Sequence, residues 1–143
     1  MPGTMFDLIH SIKKGCVRTE ERIRADYDLS TAELVGLRIL QTDEAILAGL
    51  FAERLELSPS RGSRVINQMV QKGLVTAHPI PENRRSVQVS LTTVGRRMQR
   101  SVELEILQCE NRLLAQLPES QRDTFKSTLE MLSNLLNSDP SQP

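Results

Sequence analysis

Apolar residues recur every three or four positions along most of this chain, which is the spacing of an amphipathic helix. The first such stretch predicts a helix over residues 4–27. A second helix is predicted from Ser30, which forms a capping box with Glu33, to about residue 41. The apolar stripe predicted for the first helix consists of Met5, Ile9, Ile12, Cys16, Ile23 and Tyr27.

Two further helices are predicted before the middle of the chain. Residues 44–56 predict a third helix, capped by Thr42 or Asp43. Ser58, followed by proline, predicts the start of a fourth helix, and Gly73 predicts its end. The predicted inward-facing residues are Leu47, Leu50, Phe51 and Leu55 in the third helix and Val65, Ile66 and Met69 in the fourth.

The hydrophobic period changes to two after the fourth helix, which predicts a β-hairpin. Its strands are predicted over residues 74–78 and 86–91, joined by a turn-rich basic tip at residues 79–85. The chain is therefore expected to be mainly α with one small β-hairpin wing.

Helical spacing returns after the hairpin. Thr92 is predicted to cap a long helix that ends near residue 116, and a last helix is predicted over residues 119–137. The long helix has an apolar stripe of Val94, Met98, Val102, Ile106, Cys109 and Leu113, and the last helix has one of Phe125, Leu129, Leu132 and Leu136.

Composition limits the class of protein. The chain has 143 residues, 38% of them hydrophobic, so it can bury a core of its own. It lacks an apolar run long enough for a membrane helix, and its start does not resemble a secretory signal. The two cysteines, Cys16 and Cys109, are far apart in sequence and are expected to be reduced thiols in the cytoplasm.

The positive charge is concentrated in one segment although the net charge is zero. Residues 58–100 contain eight basic residues and one acidic residue, whereas the rest of the chain contains ten basic and seventeen acidic residues. Such a segment is typical of a phosphate-binding module, although a solvated basic face without a partner has the same composition.

The fourth helix and the hairpin carry the side chains expected to contact duplex DNA. The second helix of a steeply crossed pair can enter the major groove, where arginine suits guanine and asparagine or glutamine suits adenine. Two adjacent arginines on a thin wing can reach the minor groove. The predicted contacts are Ser58, Ser60, Arg61, Ser63, Arg64, Asn67 and Gln68 on the helix and Arg84 and Arg85 on the wing.

Nearly the whole chain resembles the MarR family of winged-helix regulators. The resemblance rests on residues 51–58, on Lys-Gly-Leu-Val at 72–75, on the basic wing, and on Leu-Thr-Thr-Val-Gly-Arg at 91–96. It implies an intertwined homodimer, a palindromic site, and repression relieved by a ligand or an oxidant.

The chain departs from the family pattern at two positions. Asn83 stands where the wing usually has an aspartate, so it cannot form the ion pair that steadies the wing arginine, Arg85. Gly62 stands where a larger apolar residue is usual, and it is expected to permit the close approach of a neighbouring helix.

The resemblance divides residues 1–143, taken as one domain, into functional regions. A dimerisation helix is expected over 4–29, a winged helix-turn-helix over 30–92 and dimerisation helices over 93–137, followed by a disordered tail at 138–143. An effector pocket is also implied, and His10, Lys14 and Arg18 are candidates to line it, although surface charge explains them as well.

Other classes of site find less support. Neither a cofactor nor a metal is expected, because His10 and His78 lie in different elements and the cysteines lie on apolar stripes. The residues also lack the motifs of an enzyme. Cys16 is a candidate redox switch because Lys13, Lys14 and Arg18 are close in sequence, although a buried, inert cysteine is the commoner outcome.

These observations predict a cytoplasmic, sequence-specific regulator that binds duplex DNA as a homodimer, represses by occluding a promoter and is released by a small-molecule effector. Two alternatives stay open. One is a redox-switched regulator acting through Cys16, and the other is a winged-helix module that binds an acidic protein partner.

Overall fold

The computed structural model describes residues 3–138, so the predicted tail at 138–143 lies outside the described residues except for Ser138. The chain divides into two compact units, Met1–Leu104 and Glu105–Pro143. The elements, in chain order, are α1 (Met5–Tyr27), α2 (Thr31–Ile39), β1 (Ala45–Leu47), α3 (Ala48–Arg54), α4 (Pro59–Gln71), β2 (Val75–Ile80), β3 (Asn83–Leu91), α5 (Thr93–Leu114), a 3-10 turn (Glu119–Gln121) and α6 (Arg122–Asn137). The predicted fold class, mainly α with a small β wing, is confirmed.

The first two helices begin with side-chain caps. The Thr4 hydroxyl accepts a hydrogen bond from the backbone N–H of Asp7, and the Ser30 hydroxyl accepts one from that of Glu33. Hydrogen bonds from the side chain and backbone of Thr4 lower the pKa of Asp7. Between the two helices, Asp28 adopts a left-handed conformation with φ 52°, which ends α1 and turns the chain into α2.

The prediction of a third helix over residues 44–56 is wrong at its start. Residues 45–47 form β1, which pairs antiparallel with β3, and α3 begins only at Ala48. Ile46 is buried while its neighbours are exposed, which is the period of a strand. Leu47 and Leu50 were expected to face inward but are 46% and 38% exposed. Residues 45–47 form a strand and α3 starts later than predicted, so the residues that face the core differ from those of one continuous helix.

The helix pair α3–α4 packs through small residues. Phe51 and Ala52 of α3 are buried, and Glu56 takes a left-handed conformation with φ 57° in the connection to α4. A Cβ atom added to Gly62 would overlap the Cβ of Ala52. The expected close approach of a neighbouring helix at Gly62 is therefore present.

The wing is longer and more regular than predicted. The three strands form an antiparallel sheet in the order β1-β3-β2. The strands β2 and β3 extend into the segment 79–85, which was predicted to be a turn-rich tip, and only residues 81–82 form the turn. Proline lacks a backbone N–H and is found in sheets mainly on edge strands, where one side of the strand has no hydrogen-bonded neighbour. Pro79 fits this rule because β2 is an edge strand.

The core of the first unit is aliphatic apart from one aromatic ring, Phe51. Val65, Ile66 and Met69 of α4 are buried as predicted, and Val89 of β3 and Val102 of α5 are fully buried. The hydroxyl of Thr92 accepts a hydrogen bond from the N–H of Gly95 at 2.9 Å, so the predicted cap of α5 is present.

The second unit contains the end of α5, the 3-10 turn and α6. No residue of α6 is buried, and Leu129, Met131, Leu135 and Leu136 are exposed by between 41% and 67%. None of the helices between residues 3 and 138 is long and apolar enough to cross a membrane.

Candidate nucleic-acid interface

Helix α4 packs one face against the core and exposes its opposite, polar face to solvent. Gly62, Val65, Ile66 and Met69 are its buried residues. All seven positions predicted to contact DNA on or next to this helix are exposed, namely Ser58, Ser60, Arg61, Ser63, Arg64, Asn67 and Gln68. The structure therefore brings the predicted helical contacts to one side of the winged helix.

The start of α4 is open to an anion. Ser58 is the N-cap, and its hydroxyl accepts a hydrogen bond from the N–H of Arg61 at 3.3 Å. The first turn has no acidic residue, so the positive end of the helix dipole is not neutralised by its own side chains. Ser58 therefore caps the start of α4, as the sequence predicted, and it is also one of the predicted DNA contacts.

Arg84 and Arg85 lie on β3, next to the turn of the wing, and both are exposed. The side-chain oxygen of Asn83 accepts a hydrogen bond from the backbone N–H of Arg85 at 3.1 Å. Asn83 therefore orders the backbone beside this arginine even though it cannot form an ion pair with the guanidinium group.

A cavity of about 350 Å³ lies between α4 and the wing. Ser63 of α4 and Arg85 of the wing both line it. The same cavity is lined by residues 47–50, where β1 passes into α3. Sequence reasoning missed this segment because it predicted one continuous helix there, and an apolar run so short is compatible with either strand or helix.

Six of the eight basic residues of the segment 58–100 fall into two groups. Among residues 3–138, no hydrogen bond or ion pair engages the guanidinium groups of Arg61, Arg64, Arg84 and Arg85. The other group bonds internally. The Arg96 guanidinium donates to the Leu91 carbonyl and the Thr93 hydroxyl, and Lys72 forms an ion pair with Glu33.

Residues 29–87 match the model of the MarR family. This segment belongs to the MarR family. It contains the whole exposed face of α4 and both wing arginines, so the candidate interface lies inside the MarR-family segment.

Relatives extend the likeness beyond this segment. The HTH-type transcriptional repressor Rv2887 of Mycobacterium tuberculosis is 26% identical over 106 residues, which are 74% of this chain and 76% of that protein. MepR, a transcription regulator of the Staphylococcus aureus multidrug efflux pump MepA, has a TM-score of 0.79 at 20% identity, covering 92% of this chain and 98% of MepR. A MepR variant bound to an oligodeoxyribonucleotide has a TM-score of 0.70 at 20% identity, with the same coverage. These structural likenesses show that the chain shares the fold of MepR.

The candidate effector residues lie outside the MarR-family segment. His10, Lys14 and Arg18 are exposed on α1, and the His10 ring stacks on Phe6 with 6.3 Å between ring centroids. A larger cavity, about 640 Å³, is lined instead by residues 40–44 and Gln99. The three residues therefore stay a prediction.

Cys16 and Cys109, both within the described residues, do not form a disulfide bond. Cys16 is exposed, so the interpretation of Cys16 as a buried core residue is wrong; Ile23 is the one buried residue of α1. Cys109 is half-buried, and the Arg112 guanidinium lies 3.2 Å from its sulfur. Within residues 3–138, no three His, Cys, Asp or Glu side chains are close enough together to hold a metal ion.

Proposed function

We propose that this transcription regulator of the MarR family binds duplex DNA with sequence specificity, as a homodimer acting in the cytoplasm, and represses by occluding a promoter. The observation that carries the proposal is the acid-free face of α4, which exposes Arg61, Arg64, Asn67 and Gln68. Ser63 of the same helix and the wing arginine Arg85 line one cavity. A helix of this kind fits the major groove while the wing contacts the adjacent backbone or minor groove.

Apolar surface on the first and last helices, α1 and α6, supports the homodimer. Phe6, Leu8 and Ile12 of α1 are exposed by 55% or more, as are Leu135 and Leu136 of α6. Soluble chains rarely leave such faces uncovered, and a second copy would cover them through an isologous interface. A two-fold dimer would present two copies of α4 to a palindromic site. Release by a small-molecule effector completes the proposal, and His10, Lys14 and Arg18 are its candidate ligands.

The test is fluorescence anisotropy with two duplexes over a salt series. One duplex is selected by the protein from a randomised library, and the other is its scrambled counterpart. Preference for the selected duplex, with affinity that falls as salt rises, is expected. Equal and weak binding to both duplexes would contradict the proposal and favour the protein-interaction module instead.

The exposure of Cys16 supports a second candidate, a redox-switched regulator. In that case peroxide would weaken binding of the wild-type protein to the selected duplex, whereas the Cys16→Ser variant would bind equally with and without peroxide. Cys109→Ser is the matched control and should behave as the wild type does. A wild-type protein whose binding ignores peroxide would eliminate this candidate.

A further inference from the structure

Lys72, at the C-terminal end of α4, directs its charge into the protein. Its Nζ atom lies 2.7 Å from Oε2 of Glu33, and the same ammonium group donates to the backbone carbonyl of Asp28. Asp28 ends α1 and Glu33 lies in the first turn of α2. One side chain therefore ties the end of α4 to the turn between α1 and α2.

Glu33 is the buried partner in this arrangement. The residue is only 4% exposed and is the one buried charged residue within the described chain, 3–138. Its Oε1 atom accepts a hydrogen bond from the N–H of Ser30 at 3.4 Å, which leaves Oε2 for the ammonium group of Lys72. Because a buried carboxylate is costly without a cation, loss of Lys72 would destabilise this end of α4 in particular.

The chain that follows Lys72 is held from another side. The hydroxyl of Thr92 donates to the carbonyl of Gly73 at 2.5 Å, and the N–H of Thr92 donates to the carbonyl of Leu74 at 3.0 Å. The bonds made by Lys72 and those made by Thr92 together hold residues 72–74, which directly follow the last turn of α4. This segment is therefore bonded to the α1–α2 turn and to the β3–α5 junction.

We propose that Lys72 and Glu33 form a clamp that orients α4, so that Lys72 is a positioning residue for DNA binding and not a phosphate contact. The proposal rests on the DNA binding proposed above. It separates Lys72 from the exposed arginines of the candidate interface, which are Arg61, Arg64, Arg84 and Arg85. Orientation of α4 sets where Arg64 and Asn67 meet the bases, so a looser helix end would lower specific affinity.

The test compares Lys72→Met and Glu33→Gln on the selected and scrambled duplexes over a salt series. Each variant is expected to weaken binding to the selected duplex by roughly three- to thirtyfold, the usual range for coupling through packed elements. The slope of log affinity against log salt should not change, because neither side chain neutralises a phosphate in this proposal. Lys126→Met, which removes an exposed lysine from α6, is the control for loss of a positive charge and should bind as the wild type does.

Glu33→Gln is the decisive variant. It removes a negative charge, which by electrostatics alone would tighten binding to DNA, and glutamine at this position still completes the capping box. The clamp predicts weaker binding instead. If Lys72→Met lowers the salt slope by about one in each half-site while Glu33→Gln binds as tightly as the wild type or more tightly, Lys72 is a phosphate contact and the clamp is overturned.

Two further measurements cover the remaining outcomes. If Lys72→Met does not fold, the double variant Lys72→Met/Glu33→Gln replaces it, because that variant buries no unpaired charge. The double variant should bind more weakly than the wild type with an unchanged salt slope, and wild-type affinity would overturn the clamp. If the wild-type protein binds no duplex, the proposed function fails, and the clamp is judged by amide hydrogen exchange of residues 69–72. Faster exchange in Glu33→Gln supports the clamp, and unchanged exchange overturns it.

Discussion

Arg64 and Arg85 are chemically identical, but the elements that carry them give them different proposed roles. Arg64 lies on the exposed face of α4, one helical turn after Ser60 and three residues before Asn67. Arg85 lies on β3, beside the backbone that Asn83 orders. Contacts to bases specify a sequence, whereas contacts to phosphates position the protein.

Arg64→Ala is expected to cost roughly 1–3 kcal/mol of binding free energy on the selected duplex and to relax specificity at one symmetric pair of positions. The physical reason is the loss of a bidentate hydrogen-bonded pair with guanine in each half-site. Anisotropy on duplexes substituted at each position measures both effects. Unaltered affinity and unaltered sequence preference would remove Arg64 from the set of base contacts.

Arg85→Ala is expected to weaken binding to the selected and scrambled duplexes together. The salt slope should fall by about one for each phosphate that is no longer neutralised, and the dimer would show this effect in both half-sites. The same salt series as for Arg64→Ala measures it, with that variant as the comparison. A weaker affinity confined to the selected duplex, at constant slope, would instead assign Arg85 to base recognition.

At the scale of elements, the contact between α3 and α4 depends on a residue without a side chain. Gly62 faces Ala52, and a Cβ atom at this position would come within 3.1 Å of the Ala52 Cα atom. A glycine inside a helix costs about 1 kcal/mol relative to alanine. Glycine is nevertheless favourable here, because α3 and α4 could not approach as closely with a larger residue at position 62.

Gly62→Ala is therefore expected to lower the free energy of unfolding by about 1–2 kcal/mol, because the overpacking outweighs the gain in helix propensity. Gly15→Ala in α1 is the matched control, since a Cβ atom there would meet nothing within 4 Å, and it should stabilise the protein by a few tenths to about 1 kcal/mol. Chemical denaturation at one fixed protein concentration measures both. Adding Ala52→Gly to Gly62→Ala should relieve the overlap, and a Gly62→Ala variant as stable as Gly15→Ala would contradict the packing argument.

At the scale of the whole molecule, the first and last helices, α1 and α6, leave several large apolar side chains exposed to solvent. All of α6 is without a buried residue, and only Ile23 is buried along α1. Amphipathic helices of this length gain most of their stability from packing and not from helix propensity. The proposed homodimer supplies that packing.

Leu132→Asp is expected to disrupt the homodimer, because it would place an unpaired charge in the proposed interface. Ser127→Asp, on the opposite side of α6 by helical spacing, adds the same charge outside the apolar stripe and should leave assembly intact. Sedimentation at micromolar concentration measures both variants against the wild type. A wild-type protein that is a folded monomer under these conditions would refute the proposed dimer.

The local sequence determined most element boundaries and the polar face of α4. The caps at Ser30 and Ser58 and the left-handed Gly73 use only neighbouring atoms, so their positions follow from local chemistry. The spacing of the buried residues in α4 likewise decides which side chains remain exposed, without reference to any other element. These features made the winged helix and its candidate DNA contacts predictable.

Tertiary structure alone decided the features whose partners are distant in sequence. Residues 45–47 form a strand because β3, more than forty residues later, supplies hydrogen-bond partners that a helix would have found locally. Lys72 is as basic as the arginines of the same segment, and only the packing of α4 against α2 places Glu33 within reach of its flexible side chain. Hydrophobic spacing cannot contain such information, because it records which faces are apolar and not which distant group meets them.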